Sequence, residues 1–378
     1  MTSADMTRKT PVKLLTFLRH GITPVGLACI GLGLLGCLAI YNATFHLEAP
    51  FQYVGRQFVW LVLAATLLVT VSATDRKRIL RVFPWLAIVV YAMLWLVLRL
   101  GVSVNGMTGW FAWHGIFLQP SEVAKPLFVL CLASGLQMTA KHRGEFKHGY
   151  LPVLGILLAW ILPIMLQPDF GTVLTYILTF AIVYACMGGR LLYLAGTAVV
   201  SLPAVLLIVG ATPYLRDRFT SFLHPAAHAE TSGWHILQFQ RTLASGGAFG
   251  QSWGNALWAR TYLPFGYSDS IFATIGESMG FVGLLPFVLI LVAWVMYGYR
   301  RIQRTNSYLT AATITGMVVC LEVQAFIHLS VNLGMLPPTG ITLPLISYGG
   351  SSLIATVTAV GIVEAFSRSS DEPPQENT

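Results

Sequence analysis

Long apolar runs are the feature that most limits how this chain can fold. The 378 residues contain ten such runs, at about 22–42, 56–73, 83–101, 120–138, 150–166, 169–187, 191–211, 271–298, 309–333 and 341–366. A helix needs roughly 20 apolar residues to cross a bilayer, and backbone in lipid must satisfy its hydrogen bonds within the segment. The pattern therefore predicts an all-α, polytopic integral membrane protein with about ten transmembrane helices.

Charged residues are too few for a water-soluble protein. They make up 10% of the chain, against roughly a quarter in soluble domains. A soluble enzyme is excluded, and the apolar composition equally excludes a disordered chain. We predict a cytoplasmic N-terminal segment over residues 1–21, a single membrane domain over 22–366, and a disordered cytoplasmic tail over 367–378. The first apolar run lacks a signal-peptidase site and is interpreted as a retained span.

The basic residues are distributed unevenly between the two sides of the predicted membrane domain. Of the 23 lysines and arginines, 16 fall in the two tails and in the even-numbered connections, and five fall on the opposite side. The positive-inside rule places both termini in the cytoplasm. The one long connection, residues 212–269, is then extracytoplasmic. The net charge of +8 is therefore explained by the orientation of the chain in the membrane and does not indicate nucleic-acid binding.

Polar residues collect where the even-numbered spans begin, at the predicted outer face. The residues are Gln119, Ser121, Glu122 and Lys125 in the fourth span, Asp169 in the sixth, Asp269 in the eighth, and Ser347, Ser351 and Ser352 in the tenth. An acid in the first turn is an ordinary helix-start signal, so capping explains any one of them. Ionisable groups at membrane depth are costly and normally face a partner or a wet cavity. Together they predict a shared polar cavity that opens to the outside.

Several individual side chains admit two interpretations. Glu122 and Lys125 have the i,i+3 spacing of a pair on one helix face. Glu277 either faces the same cavity as Asp269 or makes a structural hydrogen bond. The ninth span has a polar stripe for which hydrogen bonding between helices is the favoured explanation, and Glu322 has no predicted partner. The stripe consists of Gln324, His328 and Asn332. Neither the five cysteines nor the histidines show metal-ligand spacing.

Five blocks of sequence, in order, resemble the SEDS (shape, elongation, division and sporulation) family. They are Gln119-Pro120-Ser121-Glu122-x-x-Lys125, Gln167-Pro168-Asp169-Phe170-Gly171-Thr172, Ser245-Gly246-Gly247, Asp269-x-Ile271-Phe272-Ala273 with Gly276-Glu277, and the run from Leu336 to Ser352 that ends in Ser-Tyr-Gly-Gly-Ser-Ser. The sequence departs from the family pattern at Ala244, Ser270, Ser278 and His328. The segments around Asn255, Leu263 and Leu343 look closer to the division branch of the family.

The resemblance implies a peptidoglycan glycosyltransferase of the bacterial cytoplasmic membrane, which polymerises lipid II in cell division or elongation. It also implies two kinds of partner, a class B penicillin-binding protein and other proteins of the division or elongation complex. It implies that Asp269 is the essential catalytic aspartate and that Glu122, Lys125 and Asp169 are further functional positions. Gln238 in the long connection is a further substrate candidate. The arginines available to hold pyrophosphate through bidentate contacts are Arg216, Arg218, Arg241 and Arg260.

Transfer of a sugar from a diphospholipid needs a base for the acceptor hydroxyl, and the pyrophosphate leaves readily. One aspartate suffices, and we predict that Asp269 is this base. No cofactor is assigned, and a divalent cation that shares the pyrophosphate charge is an open alternative. Two other functions also stay open, a lipid II flippase and a scaffold for a transpeptidase. A flippase should carry polar groups through the full bilayer depth, whereas here they crowd at the outer ends of the spans, which favours chemistry outside.

Overall fold

Helices account for about three quarters of the protein. The structure, a computed structural model, describes residues 23–104, 106–230, 233–263 and 265–371. The helices are α1 (Pro24–Thr44), α2 (Pro50–Ala73), α3 (Arg76–Leu100), α4 (Pro120–Met138), α5 (Leu151–Met165), α6 (Phe170–Cys186), α7 (Leu191–Ala211), α8 (Pro213–Leu223), α9 (Trp234–Gly246), α10 (Leu257–Thr261), α11 (Ile271–Ile302), α12 (Tyr308–Asn332) and α13 (Gly350–Asp371). One turn of π-helix, Phe146–Tyr150, leads directly into α5.

The all-α membrane architecture is confirmed. Each of the ten apolar runs contains a helix, and eight helices in the described ranges are long and apolar enough to cross a bilayer. The other two helices in the ten runs, α4 and α6, are not among these eight. Helix α6 is apolar but has only 17 residues. The count of ten spans and the sidedness therefore stay predictions.

The ends of two helices differ from the predicted ends. Helix α3 begins seven residues early because Asp75 caps it, its carboxylate accepting a hydrogen bond from the Lys77 backbone N–H at 3.3 Å. The last helix begins at Gly350 rather than near residue 341 and continues to Asp371, so the predicted tail starts inside a helix. The rest of that tail, 372–378, and the N-terminal segment 1–21 lie outside the described residues.

A small sheet before α4 was not predicted. Strands β1 (Val102–Val104), β2 (Met107–Trp113) and β3 (Ile116–Leu118) pair antiparallel in the order β1-β2-β3. The turn between β2 and β3 has two residues, His114 and Gly115, both at positive φ, as type I′ hairpin turns require. This sheet leads the chain back to Gln119 at the start of α4.

The helices are not equally buried. Helices α4, α12 and α13 lie at the centre, where their side chains form much of the main core. Helix α7 has no buried residue. The polar blocks singled out in the sequence lie mainly on the central helices, which explains why their side chains are surrounded by protein rather than lipid.

Helix α11 is interrupted at Gly280, which has φ +68° and ψ −175°. The break frees backbone groups on both sides, and the segment after α9 satisfies them. The backbone N–H groups of Gln251 and Ser252 donate to the carbonyls of Glu277 and Ser278, and those of Phe281 and Val282 donate to the carbonyls of Gly247 and Ala248. This clamp ties the long connection, residues 212–269, which we call the outer segment after its predicted side, to the helix that follows Asp269.

The Ser245-Gly246-Gly247 motif has a packing explanation in this clamp. A Cβ atom on Gly246 would lie 2.2 Å from the Gly276 carbonyl oxygen. Only a residue without a side chain allows α9 to approach α11 this closely.

Candidate functional site

The predicted pair of Glu122 and Lys125 is confirmed. The Lys125 ammonium donates to Glu122 Oε1 at 2.5 Å and to Gln324 Oε1 of α12 at 2.8 Å. All three side chains are buried. Because α4 starts at Pro120, the pair lies in its first two turns, where the i,i+3 spacing puts both groups on one face.

Asp169 lies beside this pair but is bonded to neutral donors. Its Oδ2 accepts from Gln119 Nε2 at 3.1 Å and from Ser121 Oγ at 3.2 Å, and its Oδ1 accepts from the Thr172 backbone N–H at 3.1 Å. The last bond makes Asp169 the N-cap of α6. We call Gln119, Ser121, Glu122, Lys125, Asp169 and Gln324 the Lys125 cluster.

The Lys125 cluster is closed in this structure. The cavity that Lys125 and Gln324 line has a volume of about 10 Å³, at the lower limit for a single water molecule. The predicted open cavity at these residues is therefore wrong here. The reason is that α4, α6, α12 and α13 pack around the charges. Neighbouring groups bond to Lys125, to Asp169 and to Glu122 Oε1, whereas Glu122 Oε2 has no hydrogen-bond partner among the described residues.

A second polar group surrounds Asp269 at the start of α11. The Ser268 hydroxyl donates to Asp269 Oδ1 at 3.0 Å, and the Asn332 amide donates to the Asp269 carbonyl at 2.9 Å. The Ser347 hydroxyl donates to the Ser268 carbonyl at 2.6 Å. We call Ser268, Asp269, Asn332 and Ser347 the Asp269 cluster. It holds the backbone of Asp269 from two sides and leaves its carboxylate with a single hydroxyl donor among these bonds.

The surroundings of Asp269 act on its pKa in opposite directions. Burial raises the pKa of the Asp269 carboxyl, whereas the Ser268 hydroxyl and the positive charge of Arg218 lower it, and the net shift is upward. A carboxylate with a raised pKa is a better proton acceptor than an ordinary aspartate. Unlike Asp169, Asp269 is partly exposed.

The four candidate arginines occupy different environments. Arg218 is half-buried and donates to the Pro338 carbonyl at 2.8 Å. Arg260 donates to the Gly254 carbonyl at 2.7 Å and stacks over the Phe45 ring at 4.4 Å from the centroid. Arg216 and Arg241 are exposed. The positive charge of Arg218 thus acts on Asp269, whereas Arg260 contacts Gly254 and Phe45.

Two other predicted site residues are buried. Glu277 accepts two backbone N–H groups at the start of α10, from Trp258 at 2.9 Å and from Ala259 at 2.7 Å. Both of its oxygens are therefore used to hold the outer segment, in agreement with the structural alternative. Gln238 is 2% exposed, and its Oε1 has no hydrogen-bond partner in the described part of the chain.

The segment between α12 and α13 connects the two clusters. Gln324 of the Lys125 cluster donates to the Thr342 carbonyl at 3.0 Å and to Ser352 Oγ at 3.1 Å. One residue further on, the Leu343 backbone N–H donates to Ser347 Oγ at 2.8 Å, and Ser347 is part of the Asp269 cluster. Ser351 joins the same segment to α4, because its Oγ accepts from the Gln119 backbone N–H at 2.9 Å.

The polar stripe on α12 makes the predicted bonds between elements. His328 Nδ1 lies 2.7 Å from the Ile341 carbonyl, and Asn332 Oδ1 accepts from the Ala273 backbone N–H at 3.2 Å. Glu322 Oε1 has no hydrogen-bond partner among the described residues.

Two interactions around the candidate site were not anticipated from the sequence. Asn42 of α1 donates to Ser278 Oγ and accepts from the Gly254 backbone N–H, both at 2.8 Å, so it anchors the outer segment near the clamp. The one indication of this role in the sequence is that Asn42 is an amide at the end of an otherwise apolar run. No local sequence pattern predicts that the charge of Arg218 acts on Asp269, because 51 positions separate the two residues in the sequence.

No group of three or more His, Cys, Asp or Glu side chains that could hold a metal ion occurs in the described ranges.

Comparison with known proteins places the chain in a family. Residues 22–372 match the family model for the cell cycle proteins FtsW, RodA and SpoVE. A relative named "Probable peptidoglycan glycosyltransferase FtsW" from Thioalkalivibrio sulfidiphilus is 34% identical over 95% of this chain and 92% of its own length. "Stage V sporulation protein E" of Bacillus subtilis is 30% identical over 88% and 93%, respectively.

The fold of this chain is also similar to solved structures. A chain from a peptidoglycan synthase complex that coordinates polymerization and crosslinking superposes with a TM-score of 0.75, at 27% identity over 92% of this chain and 97% of that one. The rod shape determining protein RodA of Thermus thermophilus superposes with a TM-score of 0.67, at 25% identity over the same shares. The protein is a multi-pass membrane protein that belongs to the FtsW/RodA/SpoVE family.

Proposed function

We propose that this protein is a peptidoglycan glycosyltransferase that polymerises lipid II into glycan strands at the outer face of the bacterial cytoplasmic membrane. The observation that carries the proposal is the setting of Asp269. Asn332 and Ser347 donate to the carbonyls of Asp269 and Ser268, the pKa of the Asp269 carboxyl is raised, and the positive charge of Arg218 acts on that carboxyl. Relatives with the same architecture bear the name peptidoglycan glycosyltransferase.

The proposed step is a displacement at the anomeric carbon of a lipid-linked sugar. The 4-hydroxyl of the GlcNAc residue of an incoming lipid II attacks that carbon and forms the new glycosidic bond. The bond from the anomeric carbon to the pyrophosphate oxygen breaks, and the pyrophosphate lipid leaves with the electron pair. Asp269 accepts the hydroxyl proton, and the raised pKa of this carboxyl favours the transfer.

Arg218 is the arginine that we assign to the departing pyrophosphate, because its charge already acts on Asp269. A guanidinium can bind two phosphate oxygens at once. If a divalent cation shares this charge, it arrives with the pyrophosphate, and polymerisation should then stop in excess chelator.

The partner that we propose is a class B penicillin-binding protein. A polymerase without a crosslinking domain produces uncrosslinked strands, so a transpeptidase must act on the product. The synthase complex to which the fold is similar couples polymerization and crosslinking. Co-purification in mild detergent, with a higher polymerisation rate in the complex than alone, is the expected result.

The test is polymerisation of fluorescent lipid II by the purified complex, followed on gels. Asp269→Asn keeps the size of the side chain but cannot accept the proton, so we expect a loss of about 10²–10⁴-fold with normal folding and partner binding. Asp75→Asn is the matched control, since Asp75 caps a helix far from the proposed chemistry. Undiminished synthesis by Asp269→Asn would overturn the assignment of the base.

The sidedness needs its own test. In a background in which the exposed Cys186 is replaced by alanine, cysteine at Gln251 should react with an impermeant thiol reagent from outside and cysteine at Gln303 should not. Both positions are exposed. The opposite labelling would place Asp269 in the cytoplasm and end the argument for chemistry outside.

A further inference from the structure

An elongated apolar cavity lies within the membrane domain, and no residue of either cluster is part of its lining. It has a volume of about 240 Å³, and α1, α11, α12 and α13 contribute to its walls together with the segment before α13. Along α11 the lining extends from Phe287 to Tyr297, ten residues or about 15 Å of helix. A cavity of this shape fits a chain that lies along the bilayer normal rather than a compact ligand.

The cavity opens toward lipid. Ala28 of α1 and Ala293 of α11 both line it and are both exposed, so its mouth lies between these two helices. Cavities lined by apolar side chains stay dry, and one of roughly 150 Å³ is enough for benzene. By proportion this cavity holds a hydrocarbon segment of roughly ten carbon atoms.

One end of the cavity adjoins the Asp269 cluster. Leu343 and Ile346, both buried, form part of the lining, and Ser347 follows directly in the chain. Ser347 donates to the carbonyl of Ser268, the residue before Asp269. A hydrocarbon chain in this cavity therefore has its outer end next to the proposed reacting groups.

We propose that this cavity binds the first part of the isoprenoid chain of the lipid-linked substrate, with the pyrophosphate and sugars at Asp269. The inference rests on the proposed function for the identity of the chain. It adds a site for the tail, formed by helices that carry none of the acidic groups of the Lys125 cluster. An acyl chain of a bilayer phospholipid is the competing occupant, and the position of the cavity beside Ser347 favours the substrate.

The first experiment narrows the mouth. Ala293→Phe places a ring at the opening, and Val292→Phe is the matched control, since Val292 is the preceding residue, is 54% exposed and does not line the cavity. With lipid II that carries the full undecaprenyl chain, Ala293→Phe should raise KM about tenfold, the equivalent of losing burial of two methylene groups. With an analogue in which a methyl group replaces the polyprenyl chain, so that nothing can enter the cavity, KM should be unchanged in both variants. Equal KM values for Ala293→Phe and the control on the long substrate would overturn the proposal.

The second experiment tests the nature of the occupant. Glu322 is the one acidic side chain in the lining, and its Oε1 has no partner among the described residues. If the occupant is hydrocarbon, Glu322→Leu makes the wall more apolar and should leave KM for the long substrate unchanged or lower it. A large rise in KM at normal kcat and normal stability would instead indicate a polar ligand and contradict the proposal.

A binding measurement separates failure of this inference from failure of the proposed function. A diazirine-bearing undecaprenyl diphosphate should crosslink to α1 and α11 peptides in wild type and in Val292→Phe, and much less in Ala293→Phe. This readout needs no catalysis, so it holds even if no polymer is made. Equal labelling by a diazirine phosphatidylglycerol at the same residues would assign the cavity to bulk lipid.

Discussion

The Lys125 cluster and the Asp269 cluster begin from similar sequence signals and are built in opposite ways. In the Lys125 cluster, the charged groups are buried, paired at 2.5 Å and surrounded by four helices. In the Asp269 cluster, hydrogen bonds hold the backbone while Asp269 as a whole is partly exposed. Acidic residues at the starts of these helices are therefore placed in two different ways, one group buried between helices and one residue partly accessible.

The largest expected effect comes from breaking the buried pair. Lys125→Met leaves the Glu122 carboxylate without its cation, and removal of one partner of a buried pair costs about 3–5 kcal/mol. We expect a loss of unfolding free energy of this size in detergent, together with loss of polymerisation. Glu122→Gln should cost less, because Lys125 keeps its bond to Gln324.

The double variant Glu122→Gln/Lys125→Met tests whether the cost is that of an unpaired charge. It should be more stable than Lys125→Met alone. Full stability and activity in Lys125→Met would mean that the buried pair in the Lys125 cluster does not stabilise the fold.

A smaller effect is expected at the break in α11. Alanine at Gly280 would adopt a φ of +68° and place its Cβ 2.4 Å from the Gly250 backbone nitrogen, so Gly280→Ala should lose about 1–3 kcal/mol and loosen the clamp. Protease nicking near Gly250 should increase. Gly55→Ala is the control, because a Cβ there meets nothing within 4 Å; similar behaviour of the two variants would contradict a clamp.

Loss of the hydrogen bonds by which Asn332 holds the backbone at Asp269 should have a moderate effect on catalysis. Asn332→Leu removes the bonds to the Asp269 carbonyl and the Ala273 N–H, each worth about 0.5–1.5 kcal/mol. We expect kcat to fall about tenfold with KM little changed. Asn255→Ala, at an exposed amide in the outer segment, is the control. An unchanged kcat in Asn332→Leu would show that Asp269 needs no such support.

The smallest expected effect is on the pH profile. The charge of Arg218 lowers the pKa of Asp269, so Arg218→Gln should raise that pKa further. Since the base acts in its ionised form, the acid limb of the kcat profile should move to higher pH, by less than about one unit, the equivalent of 1.36 kcal/mol. Arg216→Gln should leave the limb in place, and a shift to lower pH in Arg218→Gln would contradict the assignment.

Much of the architecture could be predicted from local sequence. The length and apolarity of the runs predicted helices at all ten places, because a helix is the structure that satisfies backbone hydrogen bonds in lipid. The i,i+3 spacing predicted the bond between Glu122 and Lys125. The β-hairpin at His114-Gly115 escaped prediction, since its strands are short and lie between two strongly apolar runs.

The sequence by itself determined that this is a helical membrane protein, which acids lie at the ends of helices, and the family to which it belongs. Only the tertiary structure decided that Asp169 is buried among neutral donors, that both oxygens of Glu277 accept backbone N–H groups, and that Asp269 stays partly exposed. The physical reason is that each of these outcomes depends on groups distant in sequence. Asp169 meets Gln119 across 50 positions and Asp269 meets Asn332 across 63, and no local pattern specifies such contacts.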